Sequence, residues 1–344
     1  MNLRQRYTII GIVFILIFNI VLAVYGANQA LRRRSMKKFL NATDLARYGN
    51  DTSTSRRVPR IIHQTNRNYD VPVVWNATVQ AVMRQNLGEF KYRRWSHDDM
   101  DAFVREHEPE FHKQVFSKYL YDMQRIDSFR YVMMYHMGGV YIDMDSACYR
   151  RLNEFVNAIE AMDPESPYLA LFPEEGFVGL QTDFLVGTPG HPIFKQFITR
   201  LPYFNHNYLI HHVTILLSAG PLYASVQEHF FKQTQQAVIR VLANQVYGSE
   251  FWKTNGGTWF GRDTLFILYV YYNHDMILRY CAIVMMIIFI LVLIVLLVRK
   301  YPKYLEKTFI TLQAKFYSLI KSSKLTTDHF ERRRVIKKTY FSQS

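Results

Sequence analysis

The sequence is poor in cysteine, with only two among its 344 residues. So few thiols exclude a disulfide framework and a cysteine-rich zinc fold. The chain also lacks internal repeats and low-complexity blocks, which excludes repeat architectures. What it does contain is 49% hydrophobic and 20% charged residues, too apolar a mixture for wholesale disorder. A chain of this length can bury a sizeable core, as one large domain or two small ones.

Acidic residues are scarce at both ends of the chain. The formal net charge of +14 divides into +7 for residues 1–38, +9 for residues 299–344 and −2 for the stretch between them. Basic ends on a nearly neutral body are expected where the ends lie near anionic lipid. They are less expected in a protein that binds the phosphate backbone of a nucleic acid in a groove. We therefore expect a membrane as a partner, and no nucleic acid.

Two long apolar runs, residues 8–27 and 280–298, have the length of membrane spans. About 20 apolar residues cross the roughly 30 Å hydrocarbon layer of a bilayer. A cleaved signal peptide is the alternative for the first run, but its apolar core is shorter, about 7–15 residues. The second run is apolar on every face, unlike a buried core helix, and is followed at once by two basic residues. The sequence predicts an N-terminal and a C-terminal transmembrane helix.

The flanking charges and the glycosylation sequons predict an orientation. The basic stretch after the second span places the tail in the cytoplasm, and with it residues 1–7 before the first span. Basic residues just after the first span argue for the reverse orientation. Sequons at Asn41, Asn50 and Asn76 can be glycosylated only in a lumenal position. Together these features favour a lumenal body.

Composition divides the remainder of the chain into three segments. Residues 28–57 are polar and are interpreted as a flexible stem, whereas residues 58–273 alternate helical and strand-like patterns, which is typical of an α/β domain. Residues 299–344 form a basic amphipathic tail suited to a membrane surface, or else a helix packed on a partner span. The apolar run 265–272 is too short to span, and could rest in the membrane interface or form a core strand.

Within the body, local signals predict several elements. Residues 58–65 and 91–95 are interpreted as strands, and Ser96 as the N-cap of a helix, with an acid three residues later. A helix over residues 123–137 is expected to end at Gly138, in a left-handed cap. Further strands are predicted at residues 140–142, 168–172 and 183–186.

The pair Asp143 and Asp145 carries the strongest chemical signal. In an extended chain, side chains two residues apart project to one face, so both carboxylates would project together while Met144 enters the core. Two carboxylates on one side make a hard oxygen site, suited to Mg²⁺ or Mn²⁺ bridging the phosphates of a nucleotide. Such an ion would neutralise a diphosphate leaving group. A loop with two solvated acids is the alternative.

A second pair, Asp127 and Arg130, precedes these acids. The two residues are one helical turn apart, hence on one face. Because Gly138 and Gly139 allow a sharp turn between helix and strand, both pairs could meet. Asp127 could accept hydrogen bonds from sugar hydroxyls, and Arg130 could hold Asp127 or contact a phosphate. The alternative for this pair is a surface salt bridge.

These residues resemble a known pattern. The order Asp-x-x-Arg, an apolar stretch, then Gly-Gly-x-Tyr-x-Asp-x-Asp resembles glycosyltransferase family 32, the DXD-containing sugar transferases. Three other segments resemble motifs of the same family: a first strand at residues 59–65, the Gly-Thr-Pro-Gly-His-Pro run at 187–192 and a Gly-Pro turn at 218–221. The resemblance covers about residues 58–263.

The resemblance implies a GT-A fold, a nucleotide-sugar donor, a divalent cation and retention at the anomeric carbon. It implies that Asp127 and Arg130 contact the donor sugar, while Asp143 and Asp145 bind the metal and the diphosphate. Mn²⁺ is expected more than Mg²⁺. The substrate-binding candidates are His63, Gln64, Gly138, Gly139, Tyr141, Asp183 and Trp259.

Two positions depart from the family pattern. Asn66 stands where the first motif usually has a tryptophan that can stack on the base. Residues 258–260 read Thr-Trp-Phe where the family usually has Ser-Trp-His, and phenylalanine cannot bind a metal. Asp263, Asn255 or His274 could replace the missing ligand.

The layout of the whole chain resembles that of the fungal inositol phosphoceramide mannosyltransferases within this family. This resemblance implies GDP-mannose as donor, a sphingolipid head group as acceptor, a Golgi or ER membrane location and a membrane regulatory subunit. A lipid acceptor keeps its tails in the bilayer, so an anchored site gains effective concentration. The alternatives are a glycoprotein glycan as acceptor, and a non-catalytic membrane subunit.

Overall fold

The computed structural model describes residues 37–52, 56–175, 179–256 and 260–300, apart from some side chains near the C-terminal end. The chain divides into two compact units, residues 24–268 and residues 1–23 with 269–344. The predicted span 8–27, nearly all of the tail 299–344 and the candidate Trp259 lie outside the described residues.

The larger unit is built on an eight-stranded mixed sheet. Seven strands lie in the order β1-β9-β6-β8-β4-β2-β3, and β7 pairs with β6. A separate two-stranded sheet pairs β10 with β5. The strands are β1 (Lys38–Leu40), β2 (Ile61–Thr65), β3 (Lys91–Trp95), β4 (Gly139–Ile142), β5 (Ser146–Cys148), β6 (Tyr168–Glu175), β7 (Gly179–Leu180), β8 (Phe184–Gly187), β9 (Ala237–Leu242) and β10 (Phe251–Lys253).

Helices and two short 3₁₀ turns connect the strands. The 3₁₀ turns are Val73–Trp75 and Phe116–Lys118. The helices are α1 (Ala42–Tyr48), α2 (Asn76–Gln85), α3 (His97–His107), α4 (Pro109–Gln114), α5 (Asp122–Met137), α6 (Leu152–Met162), α7 (Pro192–Phe204), α8 (His211–Ser218), α9 (Pro221–Phe230), α10 (Asn244–Glu250), α11 (Arg262–Tyr272) and α12 (His274–Lys300).

Both faces of the sheet are buried, which confirms the predicted α/β class. Along β4, Val140 and Ile142 join one hydrophobic cluster, whereas Tyr141 joins another that contains Phe129 of α5. This alternation is what a strand covered by helices on two sides produces. Strands β2, β3 and β4 are parallel, so their carboxyl ends meet at one edge of the sheet.

Several predicted elements are confirmed. Strand β3 has the predicted bounds, and Ser96 begins α3 with a reciprocal cap in which its Oγ accepts from the N–H of Asp99 at 3.1 Å. Helix α5 ends at Gly138, as predicted. Gly138 has φ +60° and ψ −158°, however, so it is not in the left-handed helical conformation that was expected.

The prediction of a flexible stem is wrong for part of residues 28–57. Strand β1 pairs in parallel with β9 at the edge of the sheet, and α1 follows it. Leu40 and Leu45 are fully buried. These isolated apolar residues anchor a mostly polar segment, and too few of them are present to give a periodic pattern in the sequence.

The C-terminal helices also differ from expectation. Residues 262–272 form helix α11, so the alternative of a core strand for the run 265–272 is wrong. In α12, the side chains from Ile283 to Val295 are all apolar and exposed. Among the residues described, none of the helices combines the length and apolar character needed to cross a membrane.

His191, in the Gly-His-Pro run before α7, predicts a pH dependence of stability. The ring is fully buried, and its Nδ1 accepts from the N–H of Ile193 while its Nε2 donates to the carbonyl of Val238. Burial lowers the pKa of His191 to about 4. Since the unfolded chain has a pKa near 6.5, it binds the proton first, and stability is lost as the pH falls from about 6.5 to about 4.

In His191→Gln, the slope of the unfolding free energy over this pH range should decrease by about one proton, because a titrating group is removed. Urea titrations followed by tryptophan fluorescence measure the slope. The exposed His206 provides the control, and His206→Gln should leave the slope unchanged. Equal slopes in His191→Gln and the unmodified chain would contradict the prediction.

Candidate active site at the carboxyl edge of the sheet

Asp143 and Asp183 stand at the adjacent ends of two neighbouring strands of the sheet. Asp143 follows β4 and Asp183 precedes β8, and these strands are antiparallel with Ile142 opposite Phe184. The N–H of Asp143 donates to the carbonyl of Asp183 at 2.8 Å, which extends the ladder by one residue. Two acids distant in the sequence therefore lie side by side.

The chain turns directly after β4, which corrects the predicted geometry of the acid pair. The N–H of Ser146 donates to the carbonyl of Asp143 at 3.1 Å, so the two acids lie in a turn and not in an extended strand. Met144 is buried, as predicted, and its carbonyl accepts a hydrogen bond from Thr78 Oγ1 at 2.5 Å. The Asp143 side chain is 27% exposed, and Asp145 is half-buried. Both acids remain accessible to a ligand.

Arg130 joins helix α5 to this turn. Its Nη2 lies 3.1 Å from Oδ1 of Asp143, and its Nη1 lies 3.2 Å from Oδ1 of Asp127. Nη1 also donates to the carbonyl of Thr182 at 2.9 Å. The side chains of Arg130 and Asp127 are each only 4% exposed, which excludes a surface salt bridge. The guanidinium therefore acts as a buried clamp that orients Asp143.

Tyr141 and Gln64 support the same acid from the other side. The hydroxyl of Tyr141 donates to Oδ1 of Asp143 and lies 2.9 Å from Oγ1 of Thr65. Gln64 Nε2 donates to the carbonyl of Asp143 at 3.4 Å, and Gln64 Oε1 accepts from the hydroxyl of Tyr92 at 2.6 Å. The structure therefore places Tyr141 and Gln64 as positioning residues for Asp143.

His63 lies inside the protein, away from the exposed side of the turn. Trp95 Nε1 donates to its Nδ1 at 3.1 Å, and its Nε2 donates to the carbonyl of Gly138 at 3.1 Å. Burial lowers the pKa of His63 to about 4, so the ring is neutral. Since both ring nitrogens are engaged within the fold, His63 holds the turn and does not itself reach a substrate, contrary to the prediction.

Gly138 and Gly139 make the tight turn that sequence reasoning proposed. Both have positive φ angles, +60° and +100°. A Cβ on Gly138 would lie 2.6 Å from the backbone nitrogen of Pro189, and one on Gly139 would lie 2.7 Å from the carbonyl oxygen of Ile61. Only glycine fits this conformation and this close approach.

Asp183 has two partners that the sequence did not reveal. Its Oδ2 accepts from the hydroxyl of Tyr247 and lies 2.7 Å from Nζ of Lys253. Burial opposes ionisation, but Lys253 and Tyr247 outweigh it and lower the pKa of Asp183. Its Oδ1 is buried and accepts no hydrogen bond from any residue in the described part of the chain. Neither partner belongs to a motif, so only the fold identifies them.

The turn concentrates negative charge. Burial raises the pKa of Asp143 to about 7, and the charges of Asp145 and Asp183 add to the rise while Arg130 opposes it. Burial and Asp183 also raise the pKa of Asp145. For Arg130 the neighbouring charges outweigh burial. Burial would lower its pKa, but Asp143 and the other facing groups raise it. Because the ion pair is 3.1 Å long, we assign the charged state to both partners at neutral pH.

The carboxylates of this turn suit a divalent cation whose remaining coordination positions are filled by a bound ligand. Over the described ranges, no three His, Cys, Asp or Glu side chains stand close enough together to hold a metal by themselves. Mg²⁺ and similar ions are often held by one or two carboxylates together with substrate phosphates. The mutual repulsion among Asp143, Asp145 and Asp183 is the charge imbalance that such an ion would relieve.

Of the three proposed substitutes for a third ligand, one is engaged by His212, one lies beside Asp145 and one is not described. Oδ2 of Asp263 accepts from the N–H of His212 at 2.8 Å, close to the start of α11. The carbonyl of Asn255 accepts from the indole of Trp75 at 3.1 Å. The side chain of His274 lies outside the described residues. Asn255 lies between Thr254, whose N–H donates to the carbonyl of Asp145, and Gly256, so among the described residues it is the substitute that the structure brings to the acid pair.

Comparison with known proteins connects this geometry to a family. Residues 64–163 match the family described as glycosyltransferase sugar-binding region containing DXD motif. Inositol phosphoceramide mannosyltransferase 1 of Schizosaccharomyces pombe is 30% identical over 265 residues, which cover 74% of this chain and 80% of that protein.

Two relatives from Saccharomyces cerevisiae are similar over a smaller share of their length. The mannosyl phosphorylinositol ceramide synthases CSH1 and SUR1 are 29% and 30% identical, over 62% and 59% of this chain. The chain spans about half the length of each, 56% and 52%. A solved structure, PaToxG glycosyltransferase, aligns with a TM-score of 0.37 and 12% identity over 54% of this chain and 73% of its own, which is too low to bear on the fold. The similarity to the S. pombe protein shows that the chain belongs to the DXD-containing glycosyltransferase family that includes the inositol phosphoceramide mannosyltransferases.

Proposed function

We propose that this protein is a cation-dependent, retaining glycosyltransferase with a GT-A fold. Its reaction is the transfer of mannose from GDP-mannose to inositol phosphoceramide. The observation that carries the proposal is the pair Asp143 and Asp145, partly exposed at the carboxyl edge of the sheet and backed by buried Arg130. The printed names of the relatives support the choice of mannose and of the lipid acceptor.

Each site residue has a role in this reaction. Asp143 and Asp145 would hold a divalent cation, preferably Mn²⁺, whose charge neutralises the departing diphosphate. Arg130, Tyr141 and Gln64 fix the orientation of Asp143, so that it does not have to reorganise when the donor binds. The bond from the anomeric carbon to the phosphate oxygen breaks, a bond to the acceptor hydroxyl oxygen forms on the same face, and the hydroxyl proton passes to the departing phosphate oxygen.

The setting of the reaction is part of the proposal. A sphingolipid acceptor requires a membrane, and we place the body on the lumenal side of the Golgi or ER membrane. The predicted spans 8–27 and 280–298 and the sequons support this placement. A membrane regulatory subunit is a further expected partner. One observation favours a second candidate, a non-catalytic subunit: exposed Phe260 occupies the position where the family pattern has a metal-binding histidine.

A donor screen on the full chain in detergent tests the proposal. With Mn²⁺ and inositol phosphoceramide, we expect release of GDP from GDP-mannose and no release of UDP from UDP-sugars. Chelation by EDTA should abolish release, and added Mn²⁺ should restore it. Absence of turnover with every donor would overturn the enzyme function and favour the non-catalytic subunit.

Gly256 offers a prediction about Asp145. A Cβ on Gly256 would lie 1.9 Å from Oδ2 of Asp145, so Gly256→Ala must displace either the loop or the carboxylate. We expect the concentration of Mn²⁺ that gives half-maximal GDP release to rise about tenfold, since misplacing one ligand weakens a two-carboxylate site. Gly248→Ala is the matched control, because its added Cβ meets nothing within 4 Å. Equal metal requirements in the two variants would contradict the prediction.

A further inference from the structure

Five large apolar side chains stand exposed around the amino-terminal ends of α8 and α11. Exposed apolar side chains that cluster on a protein surface mark an interaction site with a protein or a membrane. We call this set the apolar rim; its members are Leu120, Leu209, Ile210, Leu265 and Phe266.

Contacts between their neighbours bring the three parts of the apolar rim together. The N–H of His212 donates to Oδ2 of Asp263 at 2.8 Å, and His212 Nδ1 lies 3.1 Å from Oγ1 of Thr264. The rings of Tyr121 and His211 are 4.3 Å apart. The exposed residues are each within three positions of one of these contacts, so the three parts of the apolar rim lie near one another.

Leu209 is held in an unfavourable conformation at the centre of the apolar rim. It has φ +68°, and among the described residues it is the only one other than glycine with a positive φ. This conformation is unfavourable for an L-residue, because its Cβ crowds the following carbonyl oxygen. The side chain is 94% exposed, so burial within the body does not offset that cost. An apolar group displayed in this way gains stability only if something outside the body covers it.

The charges beside the apolar rim indicate which kind of surface covers it. Exposed Lys118 and Arg262 flank the apolar rim, which favours a surface with anionic head groups, such as the phosphodiester of the proposed acceptor. Basic side chains beside exposed apolar ones are what a lipid-binding surface presents.

Two segments of the chain connect the apolar rim with the active site. Helix α8 has eight residues, about 12 Å of helix, and Gly220 just after it lies against Asp127, whose Oδ2 is 3.3 Å from the position of an added Cβ. On the other side, the N–H of Thr254 donates to the carbonyl of Asp145 at 2.8 Å, and eight residues later the chain enters α11. The acids are therefore close to the apolar face.

We infer that the apolar rim enters the interfacial layer of an anionic bilayer, so that the active site faces lipid head groups. This inference rests on the proposed function, because a lipid acceptor is the substrate that such a placement serves. A head group standing out of the bilayer then meets Asp143 and Asp145 without leaving the membrane.

Lipid quenching of a fluorophore at Leu209 tests the contact independently of activity. The experiment uses the full chain with Leu209→Cys in a Cys281→Ser background. The protein is labelled with nitrobenzoxadiazole and reconstituted into vesicles of phosphatidylcholine and phosphatidylserine. Cys148 is buried, and burial raises the pKa of its thiol to about 12, so it does not take the label. The matched control is Leu87→Cys, since Leu87 is 85% exposed. It lies between α2 and the start of β3, at the amino-terminal ends of the strands and so opposite the carboxyl edge that carries the acids.

We expect doxyl-labelled lipid to quench the label at 209 several times more than the label at 87. Equal quenching at the two positions, or protection of position 209 only when another protein is added, would overturn the inference.

A second measurement separates this inference from the proposed function. In Leu209→Asp with Phe266→Asp, transfer to inositol phosphoceramide in vesicles should fall at least tenfold, because two apolar groups that enter the bilayer are replaced by charged ones. Hydrolysis of GDP-mannose, which needs no lipid, should be unchanged. Unchanged lipid transfer would overturn the inference. If the unmodified chain transfers to no lipid, the proposed function fails, while the quenching result still decides whether the apolar rim contacts the bilayer.

Discussion

The double substitution Asp143→Ala with Asp145→Ala is expected to lower GDP release from GDP-mannose by at least about a thousandfold. The two carboxylates are the groups that would hold the cation, and without them the charge on the departing diphosphate is not neutralised. Circular dichroism should show an unchanged fold, because both side chains are partly exposed and relieve each other's charge when removed.

The chain contains its own matched control. The same tripeptide, Asp-Met-Asp, occurs at residues 99–101 on helix α3. Asp99→Ala with Asp101→Ala removes a helix cap, at a cost of about 1 kcal/mol. We expect it to retain activity. If the 143/145 variant keeps full activity in a cell without a paralogue, the catalytic function of the acid pair is wrong.

The second large effect is expected on stability, in Arg130→Met. The guanidinium is buried between Asp127 and Asp143, so its removal leaves a carboxylate buried without a cation. Breaking a buried pair in this way costs about 3–5 kcal/mol. Urea unfolding followed by tryptophan fluorescence measures the loss.

Two further variants separate charge from packing. Adding Asp127→Asn to Arg130→Met should recover part of the stability, because the uncompensated buried charge is then gone. Arg150→Met is the matched control, since Arg150 also faces two carboxylates, Glu154 and Glu250, but is 38% exposed. It should lose at most about 1 kcal/mol. A similar loss in Arg130→Met and Arg150→Met would show that Arg130 is not a buried clamp.

The predictions that succeeded rest on local chemistry. The capping of α3 by Ser96, the end of α5 at Gly138 and the bounds of β3 depend on residues close in sequence. The meeting of Asp127 and Arg130 with Asp143 also follows from helix, turn and strand within about twenty residues. Such short-range signals need no knowledge of the rest of the fold.

The contacts that the sequence did not reveal join residues that are distant in the chain. His63 is fixed by the indole of Trp95, and Asp183 is fixed by Tyr247 and Lys253, more than sixty residues later. The Asp-Met-Asp tripeptide occurs on both α3 and the site turn, so the tripeptide by itself does not identify the site. Motif spacing alone cannot supply this information.

The pairing of β1 with β9 has a practical consequence for any shortened form of the body. A fragment starting at Val58 would lose β1 and α1, and so would leave β9 without a partner on its outer side over residues 240–242, while its pairing with β6 remains. Strand β9 reads Ala-Val-Ile-Arg-Val-Leu and is almost entirely buried. An uncovered apolar edge of this kind templates intermolecular strand addition, so that fragment should aggregate, whereas one that begins before Lys37 should stay dispersed.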